Sequence, residues 1–231
     1  MTWVEEHEGK VILGDCMEVM REIPDDAFDC TITDPPYGEK THEGARRQAN
    51  EKLITFDHIP LDQFIEMCRE LLRITKRWIV MTCEWRYISE IEKAGLPLIR
   101  FGIWVKPSYT PQFTGDRPAT GWEAVALLHR PGQKRWKGGG KSAVWTYNKT
   151  SGEHPTQKPL PLLNEWLRLF TDPGDLIFDP YCGSGSTLVA AKMMGRRFIG
   201  VELAPQYMIK ATWRLTTVGH QLGLFGEEDS P

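Results

Sequence analysis

Cysteines at paired spacing and apolar runs of membrane-spanning length are both missing from this chain. Five cysteines occur in 231 residues, Cys16, Cys30, Cys68, Cys83 and Cys182, an odd and scattered set without a C-x-x-C pair. That excludes a disulfide framework, disfavours any metal site and fits a reducing, cytoplasmic setting. No apolar run approaches the ~18 residues of a membrane helix, so no membrane partner is expected. Met1 to Lys10 carries Glu5, Glu6 and Glu8 where a secretory signal would be basic. Uniform basic charge is lacking as well. The 28 Lys+Arg against 31 Asp+Glu leave −3, which by itself weighs against a nucleic-acid partner.

What is present is enough for one domain, since a chain of this length buries ~70% of the surface its unfolded form exposes. Short apolar runs alternate with amphipathic segments, the pattern of a parallel sheet flanked by helices. Val11 to Leu13, Phe28 to Thr33, Trp78 to Thr82, Leu98 to Val105, Glu123 to His129, Leu176 to Phe178 and Phe198 to Val201 read as strands. Helices are expected at Met17 to Arg21, Leu61 to Ile74, Tyr87 to Lys93, Leu160 to Phe170, Ser186 to Met194 and Gln206 to Leu215. Leu61, Phe64, Ile65, Cys68, Leu71 and Leu72 form a helical stripe, and Pro159 and Pro205 suit first turns.

The charge is segregated. Arg100 to Leu160 holds 10 basic and 3 acidic residues, and the remainder 18 basic and 28 acidic. Within that +7 segment Trp122, Trp136, Trp145 and Tyr147 interleave with Lys134, Arg135, Lys137, Lys141 and Lys149. Cations for phosphates beside aromatics for bases make a nucleic-acid groove, but a solvated surface face accounts for the segment equally well.

Four motifs carry chemistry. Asp34-Pro35-Pro36-Tyr37-Gly38 follows a strand directly, and strand carboxyl ends are where ligands bind in open α/β sheets. Two prolines remove backbone donors and leave carbonyl acceptors, so Asp34 and the Pro35 carbonyl could hold an amine while Tyr37 stacks on its ring. A simple capped turn is the plainer alternative. Asp179 to Thr187 (D-P-Y-C-G-S-G-S-T) joins a strand to a helix, and Glu202 ends the next strand. Glycines there let backbone approach a ligand at a helix N-terminus, and an acidic residue in that place commonly grips ribose. Only Gly183-x-Gly185 of a dinucleotide fingerprint is present, so a nicotinamide cofactor is a poor fit. His154-Pro155-Thr156-Gln157-Lys158-Pro159 leads into a helix, where a lysine opposes the dipole and calls for a compensating anion. Gly14-Asp15-Cys16 ends the first strand, with Asp15 placed as a common N-cap.

In this order the motifs resemble the permuted, beta-class S-adenosylmethionine-dependent DNA amino-methyltransferases, and the resemblance runs from about Lys10 to Leu215. It implies a Rossmann-like methyltransferase fold, a doubly wound, mostly parallel seven-stranded α/β sheet with a small basic target-recognition insert. Residues 1–106 would form the catalytic half, 107–153 the insert, 154–218 the cofactor half and 219–231 a flexible tail. Asp34, Pro35, Pro36 and Tyr37 would be catalytic. Asp15, His154, Thr156, Lys158, Asp179, Tyr181, Gly183, Ser184, Gly185, Ser186 and Glu202 would hold S-adenosylmethionine, with no metal. Tyr181 stands where the family usually has Phe.

The implied reaction is direct methyl transfer to an exocyclic amine of a base flipped out of double-stranded DNA. D-P-P-Y goes mostly with adenine N6, and cytosine N4 is the alternative. More distant readings are an RNA or protein-glutamine methyltransferase and a silent DNA- or clamp-binding protein. Arg117, Arg130, Lys134, Arg135 and Lys137 are candidate DNA contacts, and Arg46 and Arg47 lie on a loop expected to close over the flipped base. The insert is short, which implies a relaxed site or a homodimer. Gln221-Leu222-Gly223-Leu224-Phe225 resembles the peptide by which bacterial proteins dock on the sliding clamp, although its apolar side chains could equally pin the tail to the domain.

Overall fold

The apolar runs assemble into one sheet with helices on both faces. The computed structural model describes residues 1–36, 59–109, 111–149 and 158–224, without the side chains of 219–224. In chain order come α1 (Trp3–His7), β1 (Val11–Leu13), α2 (Cys16–Glu22), β2 (Cys30–Thr33), α3 (Leu61–Ile74) and β3 (Trp78–Cys83). Then follow α4 (Tyr87–Lys93), β4 (Leu98–Val105), β5 (Trp122–His129), β6 (Val144–Thr146) and α5 (Leu160–Phe170). The chain continues with β7 (Leu176–Asp179), α6 (Ser186–Met193), β8 (Arg197–Glu202) and α7 (Pro205–Leu224).

The sheet has eight strands in the order β1-β8-β7-β2-β3-β5-β4-β6. Pairing is parallel throughout except at β5, which runs against both β3 and β4. The central strands β2, β3 and β7 are buried at every residue, as strands sandwiched between helices must be. Phe28, Ile79, Met81 and Phe178 pack with Phe64, Cys68 and Leu71 of α3 on one face. Ile32, Val80 and Ile177 pack with Leu163, Trp166 and Leu188 of α5 and α6 on the other. Leu61, expected in the α3 stripe, opens the helix and stays exposed.

Three elements depart from the sequence expectation. β6 is an eighth strand within the basic segment, a three-residue edge too short for its alternation to stand out. Its middle residue, Trp145, is buried edge-to-face on Trp166 rather than displayed to a ligand. A side chain on Gly102 would meet the Trp145 ring at 2.7 Å, so glycine on β4 admits it. α1 is held by a capping box between Thr2 and Glu5. Finally, α7 continues past Leu215 to Leu224, so Gln221–Leu224 is helical and only Phe225 onward of the tail lies outside the described residues.

Parallel strands put all their carboxyl ends on one side. The chain leaves β2 for α3 on one face and leaves β7 for α6 on the other, so a crevice opens between β2 and β7. That switch point is where ligands sit in doubly wound sheets.

Candidate active site

Asp34 and Asp179 end the two strands that flank this crevice. Thr33, one residue before Asp34, donates its hydroxyl to Asp179 Oδ1 at 2.8 Å and ties the strand ends together. The Tyr181 backbone N–H donates to the same oxygen at 3.2 Å. Burial drives the Asp179 carboxyl up to about 7, against hydrogen bonds from Thr187, Thr33 and Tyr181. The glycine turn then follows. Gly183 and Gly185 adopt φ of +53° and +79°, the left-handed region that glycine alone enters freely. A Cβ at Gly183 would meet only open space, whereas one at Gly185 would lie 2.9 Å from Ala211 Cβ of α7. The turn therefore presents bare backbone outward and packs tightly behind.

Glu202 fixes the turn from the neighbouring strand. Its Oε2 accepts from Gly183 N–H at 2.9 Å and its Oε1 from Ala204 N–H at 2.8 Å, while burial raises its carboxyl. Beside it, Asp15 caps α2 by accepting from Met17 and Glu18 N–H, and stays exposed. Ser184 and Ser186 are tied down by Arg214 of α7, which donates to the Ser184 carbonyl at 2.6 Å and to both hydroxyls at 3.1 Å. The Tyr181 hydroxyl bonds with Cys16, and burial raises both groups.

At Asp34 the structure holds more than the motif announces. Thr82 of β3 donates its hydroxyl to Oδ1, and Lys158 Nζ lies 2.5 Å from Oδ2. Lys158, expected on the cofactor, thus has its ammonium on the Asp34 carboxylate and 3.2 Å from Glu123 Oε2. The anion its place before α5 calls for is this pair of carboxylates. Glu123 Oε1 in turn accepts from Lys106 at 2.6 Å. Trp104 lies under both ammoniums, its ring centre 5.1 Å from Lys106 Nζ and 5.5 Å from Lys158 Nζ. Burial opposes the charge on each: it lowers Lys106 on balance, but two carboxylates raise Lys158 and two lysines hold Glu123 below its usual range. Pro35 is buried, and no described residue donates to its carbonyl, whereas the Pro36 carbonyl accepts from Ile59 N–H at 3.3 Å.

Sequence reasoning missed Thr82, Trp104, Lys106, Glu123 and Arg214. A lone glutamate in the apolar run W-E-A-V-A-L-L was the visible signal for Glu123. Tyr37, Arg46, Arg47, His154 and Thr156 lie outside the described residues. Three of the basic candidates fall elsewhere for a topological reason. In antiparallel β5, Ala124 is level with Cys83 at the carboxyl end of β3, and His129 with Trp78 at its start. At ~3.4 Å per residue these ends are about 17 Å apart. Arg130 follows His129 and pairs with Asp26, and Arg135 and Lys137 both pair with Asp172. They neutralise acidic residues at the far end of the sheet from Asp34. Lys134 lies in the same segment. Arg117, in the turn between β4 and β5, is at the same end as Asp34 and two-thirds exposed. Trp85 and Arg86 follow β3 at that end too, with the guanidinium 4.7 Å from the ring centre.

All five cysteines are buried free thiols, and no described helix is long and apolar enough to cross a membrane. Residues 28–212 match the family model described as DNA methylase, N6_N4_Mtase. YubD of Escherichia coli (strain K12), a protein described as a methylase, is 31% identical over 226 residues that span 90% of this chain and 91% of its own. The type II methyltransferase M.HinfI of Haemophilus influenzae is 24% identical over 90% of this chain and 68% of its own. Among solved structures, the M1.HpyAVI–SAM complex superposes with a TM-score of 0.68 at 24% identity, covering 89% of this chain and 98% of that one. The cytosine-N4-specific PvuII DNA methyltransferase reaches 0.68 at 16% identity, covering 94% and 93%. The fold is that of these methyltransferases, and the chain belongs to the N6/N4 DNA methylase family.

Proposed function

We propose that this DNA methylase transfers the methyl group of S-adenosylmethionine to N6 of adenine in double-stranded DNA, in a cytoplasmic setting. The observation that carries the reading is the Asp34 carboxylate at the end of β2, one strand away from the glycine turn that follows β7. The residues present fit the cofactor: backbone bare of Cβ at Gly183, a turn locked by Glu202 and Arg214, and Asp15 exposed beside the end of β1. Gly183, Gly185 and Ser184 would hold its methionine part, Glu202 its ribose and Asp15 its adenine. S-adenosylmethionine supplies a sulfonium-activated methyl, so the protein needs no nucleophile of its own.

The chain's task is to prepare the amine. An exocyclic nitrogen shares its lone pair with the ring and is a weak nucleophile. Asp34 and the Pro35 carbonyl accept its two N–H bonds, which favours a tetrahedral nitrogen and localises the lone pair, while Tyr37 stacks on the extruded base. The nitrogen gains the methyl and loses one proton, which departs past Asp34 to solvent. Asp34 is therefore an acceptor that must be ionised. Residues 107–121, with Trp85 and Arg86, form the target-facing end of the recognition insert in this reading. The tail peptide and a homodimer remain separate proposals, to be read by clamp binding after deleting residues 221–231 and by the mass of the free protein.

Cytosine N4 is the second reading, favoured by the PvuII likeness, whose TM-score equals that of the M1.HpyAVI complex. Methylation-aware sequencing of DNA from an expressing host, with mass spectrometry of its nucleosides, decides: N6-methyldeoxyadenosine is expected, and N4-methyldeoxycytidine overturns the assignment. Asp34→Asn should abolish transfer while cofactor affinity, read by titration calorimetry, stays within about threefold. Retained transfer overturns the proposed amine site.

A further inference from the structure

Four buried or half-buried charges alternate in sign at the strand ends: Asp34, Lys158, Glu123 and Lys106. Their arrangement poses a problem for the amine site. Asp34 Oδ1 accepts from Thr82 and Oδ2 from Lys158, so an arriving amine must share an oxygen with one of these donors or displace it. An arriving amine that displaced Lys158 into an apolar interior would leave a buried ammonium unpaired, a strongly unfavourable state. The structure supplies a second seat. Glu123 Oε2 is already 3.2 Å from the same ammonium, and its other oxygen is anchored by Lys106 at 2.6 Å. Lys158 can therefore release Asp34 without losing a carboxylate partner, and the Trp104 ring lies 5.5 Å from its ammonium.

Resting on the amine site proposed above, we propose that Lys158 is an exchangeable placeholder: it bridges Asp34 Oδ2 and Glu123 in the free enzyme, and gives up Asp34 while keeping Glu123 when the target amine takes its place. Lys158 holds Asp34 in place until then. Glu123 and Lys106 are positioning residues, since they act only through Lys158.

The exchange makes an unusual demand on paired substitutions. Glu123→Gln removes the receiving charge, so Lys158 stays on Asp34 and turnover on unmethylated double-stranded DNA should fall about 100-fold, with cofactor affinity little changed. Adding Lys158→Met to Glu123→Gln removes the obstruction, and the double variant should recover at least about tenfold over the single one. A merely structural glutamate predicts the opposite, a double variant no better than the single. That outcome, with both variants melting cooperatively and binding cofactor, overturns the placeholder. Asp34→Asn is run in parallel: activity there overturns the amine site itself, so the two failures are distinguishable. Should Glu123→Gln not fold, the wild-type protein decides in a ternary crystal structure. The probes are a cofactor analogue without a transferable methyl and a duplex carrying the modified context found by sequencing. Lys158 is expected on Glu123, and Lys158 still on Asp34 Oδ2 overturns the proposal.

Discussion

Thr33 and Asp179 are 146 residues apart in the chain, and a 2.8 Å hydrogen bond joins them at the mouth of the crevice. Through it the strand that delivers Asp34 and the strand that delivers the glycine turn share one register.

The titration of Asp179 follows from its burial. Its carboxyl moves from 3.8 to about 7 on folding, with desolvation the dominant cause. The native state therefore binds more protons than the unfolded one between about pH 4 and 7, and stability falls as pH rises through that window. The full penalty, on the order of a few kcal/mol, is present above about pH 7 and absent below about pH 4. Asp179→Asn keeps an acceptor for Thr33 and Tyr181 but has no charge to bury. In the cofactor-free protein its melting temperature should exceed that of the wild type clearly at pH 8 and little at pH 4.5. A pH-independent difference would contradict this.

The two glycines of the turn should respond unequally. Gly183→Ala meets only the left-handed backbone cost, about 1–2 kcal/mol. Gly185→Ala meets that cost and a 2.9 Å clash with Ala211, and should be destabilised by about 2–4 kcal/mol. For cofactor affinity the order should reverse or close up, since a methyl added at Gly183 would stand in open space on the turn proposed to hold the cofactor. Thermal melts and cofactor titrations on the pair read both effects.

Charge reversal should separate the two ends of the sheet. Arg86→Glu with Arg117→Glu removes cations at the Asp34 end and should weaken duplex binding, with the salt dependence of log K shallower by about 0.9 per lost phosphate contact. Arg135→Glu with Lys137→Glu breaks pairs to Asp172 at the other end and should leave that slope unchanged. Fluorescence anisotropy across a salt series makes the comparison. Equal losses in both variants would place DNA on both ends.

Local pattern carried most of the architecture. The bounds of α3, α4 and α5 and the positions of seven strands follow from apolar period and from proline and glycine punctuation, because those signals lie within a few residues of each other. The motifs Asp34 to Tyr37 and Asp179 to Thr187 were legible for the same reason, being contiguous. β6 was not, since three residues give no period, and the sequence left Trp145 open between a nucleic-acid groove and a surface face, whereas Gly102 and Trp166 enclose it.

Tertiary structure alone decided which charges lie at the Asp34 end of the sheet. Composition gave the basic segment one sign, but strand direction splits it. Because β5 runs antiparallel, Glu123 and the turn bearing Arg117 come to the Asp34 end, while Arg130, Arg135 and Lys137 go to the opposite end and meet acidic partners. Lys158 could be seen to need an anion from its place before a helix. Which anion it meets depends on β2 and β5 lying on either side of β3, a pairing set by the packing of a whole sheet and written in no single stretch of sequence.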